Sequence, residues 1–178
     1  MIWPRFPGTD LADFQFVHPG LPIAQGSKNL VFNDRYGRPL KRPHMIDYNK
    51  SELDQWRRGV AKSAKLTGAR VFEGDILMVL TFVFSRPASH WRADESLSQS
   101  KAALARPRKK DADKLARAVM DALSGVLYPD DRDVALLAIE RRWSSAIGLD
   151  DHVHVKVAPA PPEGRWFFLP TDLHPARA

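Results

Sequence analysis

The chain has 178 residues, 44% of them hydrophobic, enough for one core and too many for wholesale disorder. Its 27 Lys and Arg outnumber its 21 Asp and Glu, giving a net charge of +6, so a polyanion suits it as partner better than an acidic protein. It has no cysteine, which excludes disulfides, Cys-ligated zinc and thiol catalysis. No apolar run is long enough to span a bilayer, and the start MIWPRFPGTD lacks a signal-peptide layout, so a soluble, intracellular protein without a membrane partner is expected.

Residues 1–12, with Pro4, Pro7 and Gly8, read as an irregular arm. Phe14 to His18 alternates apolar and polar and predicts a first strand, stopped by Pro19-Gly20. A turn-rich basic loop runs from Pro22 to Lys28. Two short extended pieces follow, Leu30 to Asn33 and His44 to Asp47. Asn49 or Ser51 is a candidate N-cap for a helix of about 15 residues that ends at Gly68, with Leu53, Trp56, Val60 and Ala64 as its apolar stripe.

Val71 to Phe84, rich in β-branched and aromatic residues, predicts a long central strand. Arg86 to Lys110 shows no sustained period and reads as a long, mobile loop. Asp111 to Ser124 predicts a second helix with Leu115, Ala118, Val119, Ala122 and Leu123 on one face and Gly125 as its stop. Val134 to Trp143 and His152 to Val157 are two closing strands. The Pro-rich tail, 159–178, cannot extend a sheet. The pattern predicts one domain over 13–158, a mixed sheet with helices against it.

Charge is segregated. Arg86 to Arg117 holds nine Lys or Arg and four acids, whereas Asp121 to Glu140 holds five acids and one base. Asp111 and Asp113 stand at the start of the second helix, behind Arg106, Arg108, Lys109 and Lys110. One Asp there suffices as a cap worth about 0.5–2 kcal/mol. A second acid, followed by Asp130-Asp131 after Tyr128-Pro129, exceeds that need, although Asp130 alone reads as a turn residue. If the turn folds back beside the helix start, three or four carboxylates converge, and such a cluster must raise its pKa values or bind a cation. Oxygen ligands without Cys favour Mg²⁺ or Mn²⁺. Acids for a metal and bases for a phosphate backbone form a nuclease's layout.

The stretch from Lys110 to Gly125, KDADKLARAVMDALSG, continuing through Val126-Leu127-Tyr128-Pro129-Asp130-Asp131, resembles the DxDNLxK…DAL.G..Y.DD pattern of the RusA family of Holliday-junction resolvases. Gly20-Leu21-Pro22 with Gln25-Gly26-Ser27-Lys28 resembles that family's N-terminal loop. Arg86-Pro87-Ala88-Ser89-His90 resembles the element after its central strand. The resemblance covers about residues 14 to 157.

It implies an α+β fold, a mixed β-sheet with two main helices packed against it. It implies a homodimeric, Mg²⁺-dependent endonuclease that nicks branched DNA at four-way junctions, in the cytoplasm of a bacterial or phage-infected cell, with Mn²⁺ as a substitute. Asp111, Asp113 and Asp131 match the family's metal-binding catalytic acids, and Asp130 supports them. Arg117 stands where many members have a catalytic Lys, and suits charge stabilisation better than proton transfer. Lys114 replaces a frequent Asn, and Lys110 a usual Pro. Lys28, Arg108, Lys109, Lys110 and Lys114 are the expected DNA contacts. A two-fold substrate needing two cuts matches a two-fold dimer, with the 76–84 strand or the far face of the second helix as its interface.

Other readings stay open. In a second reading the acids merely cap and space elements in a non-catalytic, structure-selective DNA-binding protein. A metal–nucleotide glycosyltransferase using Asp111-Ala112-Asp113 lacks a preceding nucleotide-binding βαβ unit. His152 and His154 form either a metal pair or a solvated strand face. Trp91 stacks on an unpaired base or anchors its loop. Trp56 reads as core, Lys41 and Arg42 as further phosphate contacts, and Asp121 as one end of a salt bridge.

Overall fold

Alternation of apolar and polar side chains builds the sheet from both of its chain ends. The computed structural model describes residues 13–26, 28–33, 36–47, 49–108 and 110–160, with the backbone alone for 28–30 and 43–47. Strand β1 (Phe14–Pro19) buries Phe14 and Phe16 and pairs antiparallel with β6 (His152–Pro159), which buries Val153, Val155 and Val157. Strand β6 also pairs antiparallel with β4 (Ile76–Phe84), and β4 pairs in parallel with β5 (Val134–Trp143), giving the order β1-β6-β4-β5. A separate antiparallel hairpin joins β2 (Lys28–Asn33) to β3 (Pro39–Asp47), both longer than their apolar patterns indicate.

Helix α1 (Lys50–Leu66) buries Leu53, Trp56, Val60 and Ala64, the expected stripe. Asn49 occupies its N-cap position but makes no capping bond; its Nδ2 instead donates to the Ala24 carbonyl, 3.1 Å away. Helix α3 (Ala112–Leu123) buries the expected five residues and Ala116 as well. Both helices lie on one face of the sheet, α1 over β1 and α3 over β5, and close one core with Met78, Leu80, Phe82 and Phe84. An Arg57–Asp121 ion pair ties α1 to α3, the role expected of Asp121. The fold is therefore α+β, as expected.

Two further elements differ from expectation. The central strand starts at Ile76 and not at Val71, because Gly74 at φ +79° breaks the extended run. Upstream of that break, the Phe72 N–H leaves the sheet and donates to the Leu127 carbonyl at 2.8 Å. The 86–110 segment is no featureless loop. It contains a 3₁₀ turn (Ala88–His90) and the short helix α2 (Lys101–Leu104), whose Ser100 cap accepts from the Ala103 N–H. Distant partners hold it: Arg86 donates to the Ser144 and Ala103 carbonyls, and the Trp143 indole donates to the Ala105 carbonyl at 2.8 Å.

The expectations for the arm 1–12, for Lys109 and for the tail beyond residue 160 fall outside the described residues, but the start of the tail does extend the sheet: Pro159 ends β6 opposite Ile76, and the Ala160 N–H donates to the Asp75 carbonyl at 2.7 Å. No helix among the described residues is long and apolar enough to cross a membrane.

Candidate metal and DNA site

Parallel pairing decides where the acids go. Strands β4 and β5 run the same way, so the chain must cross back from one end of the sheet to the other between them. Helix α3 supplies the return run over the inner face. Its start therefore sits at the carboxyl end of β5, where the Arg141 guanidinium donates to the Lys110 carbonyl. Its end leads into a tight turn: the Gly125 N–H donates to the Tyr128 carbonyl, and Ser124 and Tyr128 form a β-bridge.

Asp111 takes the N-cap position of α3 yet makes no side-chain capping bond. Its carboxylate pairs with Lys114 at 3.2 Å, and the Asp111 side chain is 67% exposed. Asp113, in the first turn, is exposed and makes no ion pair among the described residues. The capping explanation for these two acids thus finds no bond, while the positive helix end still favours their charge.

Asp130, by contrast, does cap. It begins the 3₁₀ turn Asp131–Asp133 with a reciprocal capping box shared with Asp133, as its turn reading anticipates. The Arg132 N–H donates to Asp130 Oδ1 at 3.1 Å, and this bond holds the Asp130 carboxyl below the usual carboxylate range.

Tyr128 fixes this turn to α3. Its side chain is fully buried, and its hydroxyl donates to the Met120 carbonyl at 2.8 Å. Burial first, then the charges of Asp131 and Asp121, push the phenol far above its ordinary pKa, so it stays a donor. Sequence reading passed over this role; a Tyr four residues after a helix C-cap is its only local signal.

The Asp130-Asp131 turn thus lies beside the second half of α3. Asp113 is seven residues before Met120, about 10 Å along the helix at 1.5 Å per residue. Oxygens on one Mg²⁺ lie within about 4 Å of each other. Among the described residues no group of three or more His, Asp or Glu gathers around one point. The donor chemistry itself fits a hard cation: four carboxylates, exposed or half-buried, with no thiol near them.

The flanking cations are placed as follows. Arg108 and Arg117 are exposed, Lys110 and Lys114 half-buried, and Lys41 and Arg42 exposed on β3. The Lys28 side chain lies outside the described residues. His152 and His154 share the outer face of β6. The His152 Nδ1 lies 2.8 Å from the Asp150 carbonyl, and the His154 Nε2 lies 3.3 Å from Gln15 Oε1. Trp56 is core, as expected.

The site is thus a mixed sheet with a crossover helix, with acids at the helix start and in the turn after it and bases on the approach. The family model described as Endodeoxyribonuclease RusA matches residues 30–157, and the chain belongs to that family. The match takes in every acid discussed above and leaves the 20–28 loop outside it. No curated protein sequence matches the chain.

Proposed function

We propose that the chain is a divalent-metal-dependent endonuclease that nicks four-way DNA junctions symmetrically as a homodimer, working in the cytoplasm of a bacterial or phage-infected cell. The observation that carries this reading is the state of the acids in a chain of the RusA endodeoxyribonuclease family. Asp111 and Asp113 do not cap their helix, and Asp131 is exposed in the turn that Asp130 caps. Asp111, Asp113 and Asp131 would hold Mg²⁺ or Mn²⁺, with Asp130 capping the turn that carries Asp131. Bound there, the cation supplies charge neutralisation at the phosphate and a lowered pKa for attacking water. Arg117, one turn from Asp113, stabilises charge on the phosphate, and Arg108, Lys110 and Lys114 hold the backbone.

A second copy accounts for the separation of the two acid pairs. Strand β5 is an edge strand with no buried residue across its length, and Ile139 on it is 37% exposed. An unpaired edge with apolar side chains favours another strand. Central β4 is bonded on both edges and offers none, which leaves the outer strands β1 and β5; β5 is the one that α3, the helix carrying the acids, lies over. Two-fold pairing of β5 with its copy is antiparallel. It brings the Asp130-Asp131 turn of one protomer toward the partner's α3 start, because α3 begins at the far end of β5.

The competing reading, a structure-selective DNA binder without catalysis, draws on the lack of a three-acid group among the described residues of one chain. Incubating the protein with a labelled four-way junction and with linear duplex of the same sequence, with and without Mg²⁺, separates the two. Paired nicks in the junction only with Mg²⁺ support the enzyme. Junction binding without nicks in Mg²⁺ or Mn²⁺ supports the binder.

A further inference from the structure

A cavity of about 360 Å³ opens past the carboxyl ends of the parallel strands β4 and β5. In open sheets this is where ligands bind, and the volume lies at the small end of ligand pockets, roughly 300–1,000 Å³. None of the acids discussed above lines it. Its walls include Arg86, Trp91, Ala88, Ile147, Leu149 and Asp150.

Three features describe what fits. First, the Arg86 guanidinium lies over the Trp91 ring, 5.6 Å from its centroid, and is held there from behind. Its Nε donates to the Ser144 carbonyl at 3.2 Å and its Nη1 to the Ala103 carbonyl at 2.6 Å. Among the described residues its Nη2 has no acceptor. A cation fixed in this way loses little entropy when it engages a ligand. Second, Ile147 is 53% exposed and Leu149 42%, an aliphatic rim next to an aromatic wall. Third, Asp150 adds an acceptor at the edge. A flat aromatic ring with a polar edge meets all three, and unpaired DNA offers such rings.

We propose that this cavity takes one unstacked nucleobase of the branched DNA, its face on Trp91 and the Ile147–Leu149 rim, and its edge acceptors on Arg86. The proposal rests on the endonuclease reading. The segment that leaves Ala103 on Arg86 reaches Asp111 eight residues later. A base held here thus fixes the strand next to the start of α3. Trp91 and Arg86 become positioning residues for the strand to be cut.

The test uses the full chain, ¹⁵N-labelled and free of divalent cations, titrated with single-stranded hexathymidylate and then with a four-way junction. The indole N–H resonance of Trp91 and the amides of Ile147 and Leu149 shift, while the indole of core Trp56 does not. Trp91→Ala weakens junction binding about 5- to 150-fold, the range for one lost base–aromatic stack, and Trp91→Phe keeps most of the affinity. DNA bound with the Trp91 indole unmoved, or Trp91→Ala binding as wild type, overturns the pocket. Mg²⁺-dependent nicking that survives alongside such a result leaves the enzyme reading intact. Absence of any DNA binding overturns both.

Discussion

Removing the Tyr128 hydroxyl separates what holds the acidic turn from what the turn does. Tyr128→Phe deletes the 2.8 Å bond to the Met120 carbonyl and nothing else of the buried ring. That carbonyl also accepts from the Ser124 N–H at 3.0 Å, so no buried acceptor is orphaned. The expected cost is then that of one ordinary hydrogen bond, about 0.5–1.5 kcal/mol, rather than that of an unsatisfied group. For a domain of this size each kcal/mol lowers Tm by roughly 2–4 °C. The turn keeps its path through the Gly125–Tyr128 backbone bond, so junction nicking persists. Tyr128→Ala empties the site at a cost of about 3–5 kcal/mol, by analogy with Phe→Ala in cores, and moves Asp131. Urea unfolding at constant m-value, alongside a nicking assay, reads both effects. A loss above about 3 kcal/mol for Tyr128→Phe, or abolished nicking, would refute the assignment of the hydroxyl to turn-holding alone.

Other expectations follow from single contacts. Gly59→Ala on α1 does not deliver the helix-propensity gain of about 1 kcal/mol. The new Cβ would lie 2.7 Å from the His18 ring, which Ser63 holds at 2.9 Å; thermal melts should show no stabilisation, and a clear gain would contradict the packing. His154 has its pKa lowered from 6.5 by burial first and then by Lys156, Arg142 and His152. The unfolded chain therefore binds the proton more readily, so stability is full above about pH 6.5 and falls as pH drops through the native pKa. His154→Gln flattens that slope in melts between pH 7.5 and 5, and an unchanged slope would contradict it. Mixing Asp113→Asn with Asp131→Asn protein restores nicking at one site per mixed dimer if the acids meet across two protomers. No restoration in mixed dimers would confine each site to one chain.

Local pattern made much of the fold legible. The stripes of α1 and α3 and the alternation of β1 and β6 could be read because each is repeated along its own element. The start of β4 could not, since a single Gly at positive φ outweighs the β-propensity of Val71 and Phe72. The order in the 86–110 segment was hidden for another reason: its bonds go to Ser144 and Trp143, 58 and 38 residues away. At the candidate site the acids themselves were conspicuous. Their distance from one another was not, because it depends on β4 and β5 being parallel and on α3 running back along β5. Capping was equally illegible, for Asp111 occupies the cap position without making the bond, whereas Asp130 makes it.

In the proposed enzyme, carboxylates at the α3 start serve a phosphodiester reaction. Asp113→Asn, assayed with a synthetic four-way junction in Mg²⁺ by gel shift and nicking on the same samples, puts this to the test. The variant should bind as tightly as wild type or more tightly, because one repulsive charge near the phosphates is gone, and should make no nicks. Full nicking by Asp113→Asn would contradict it.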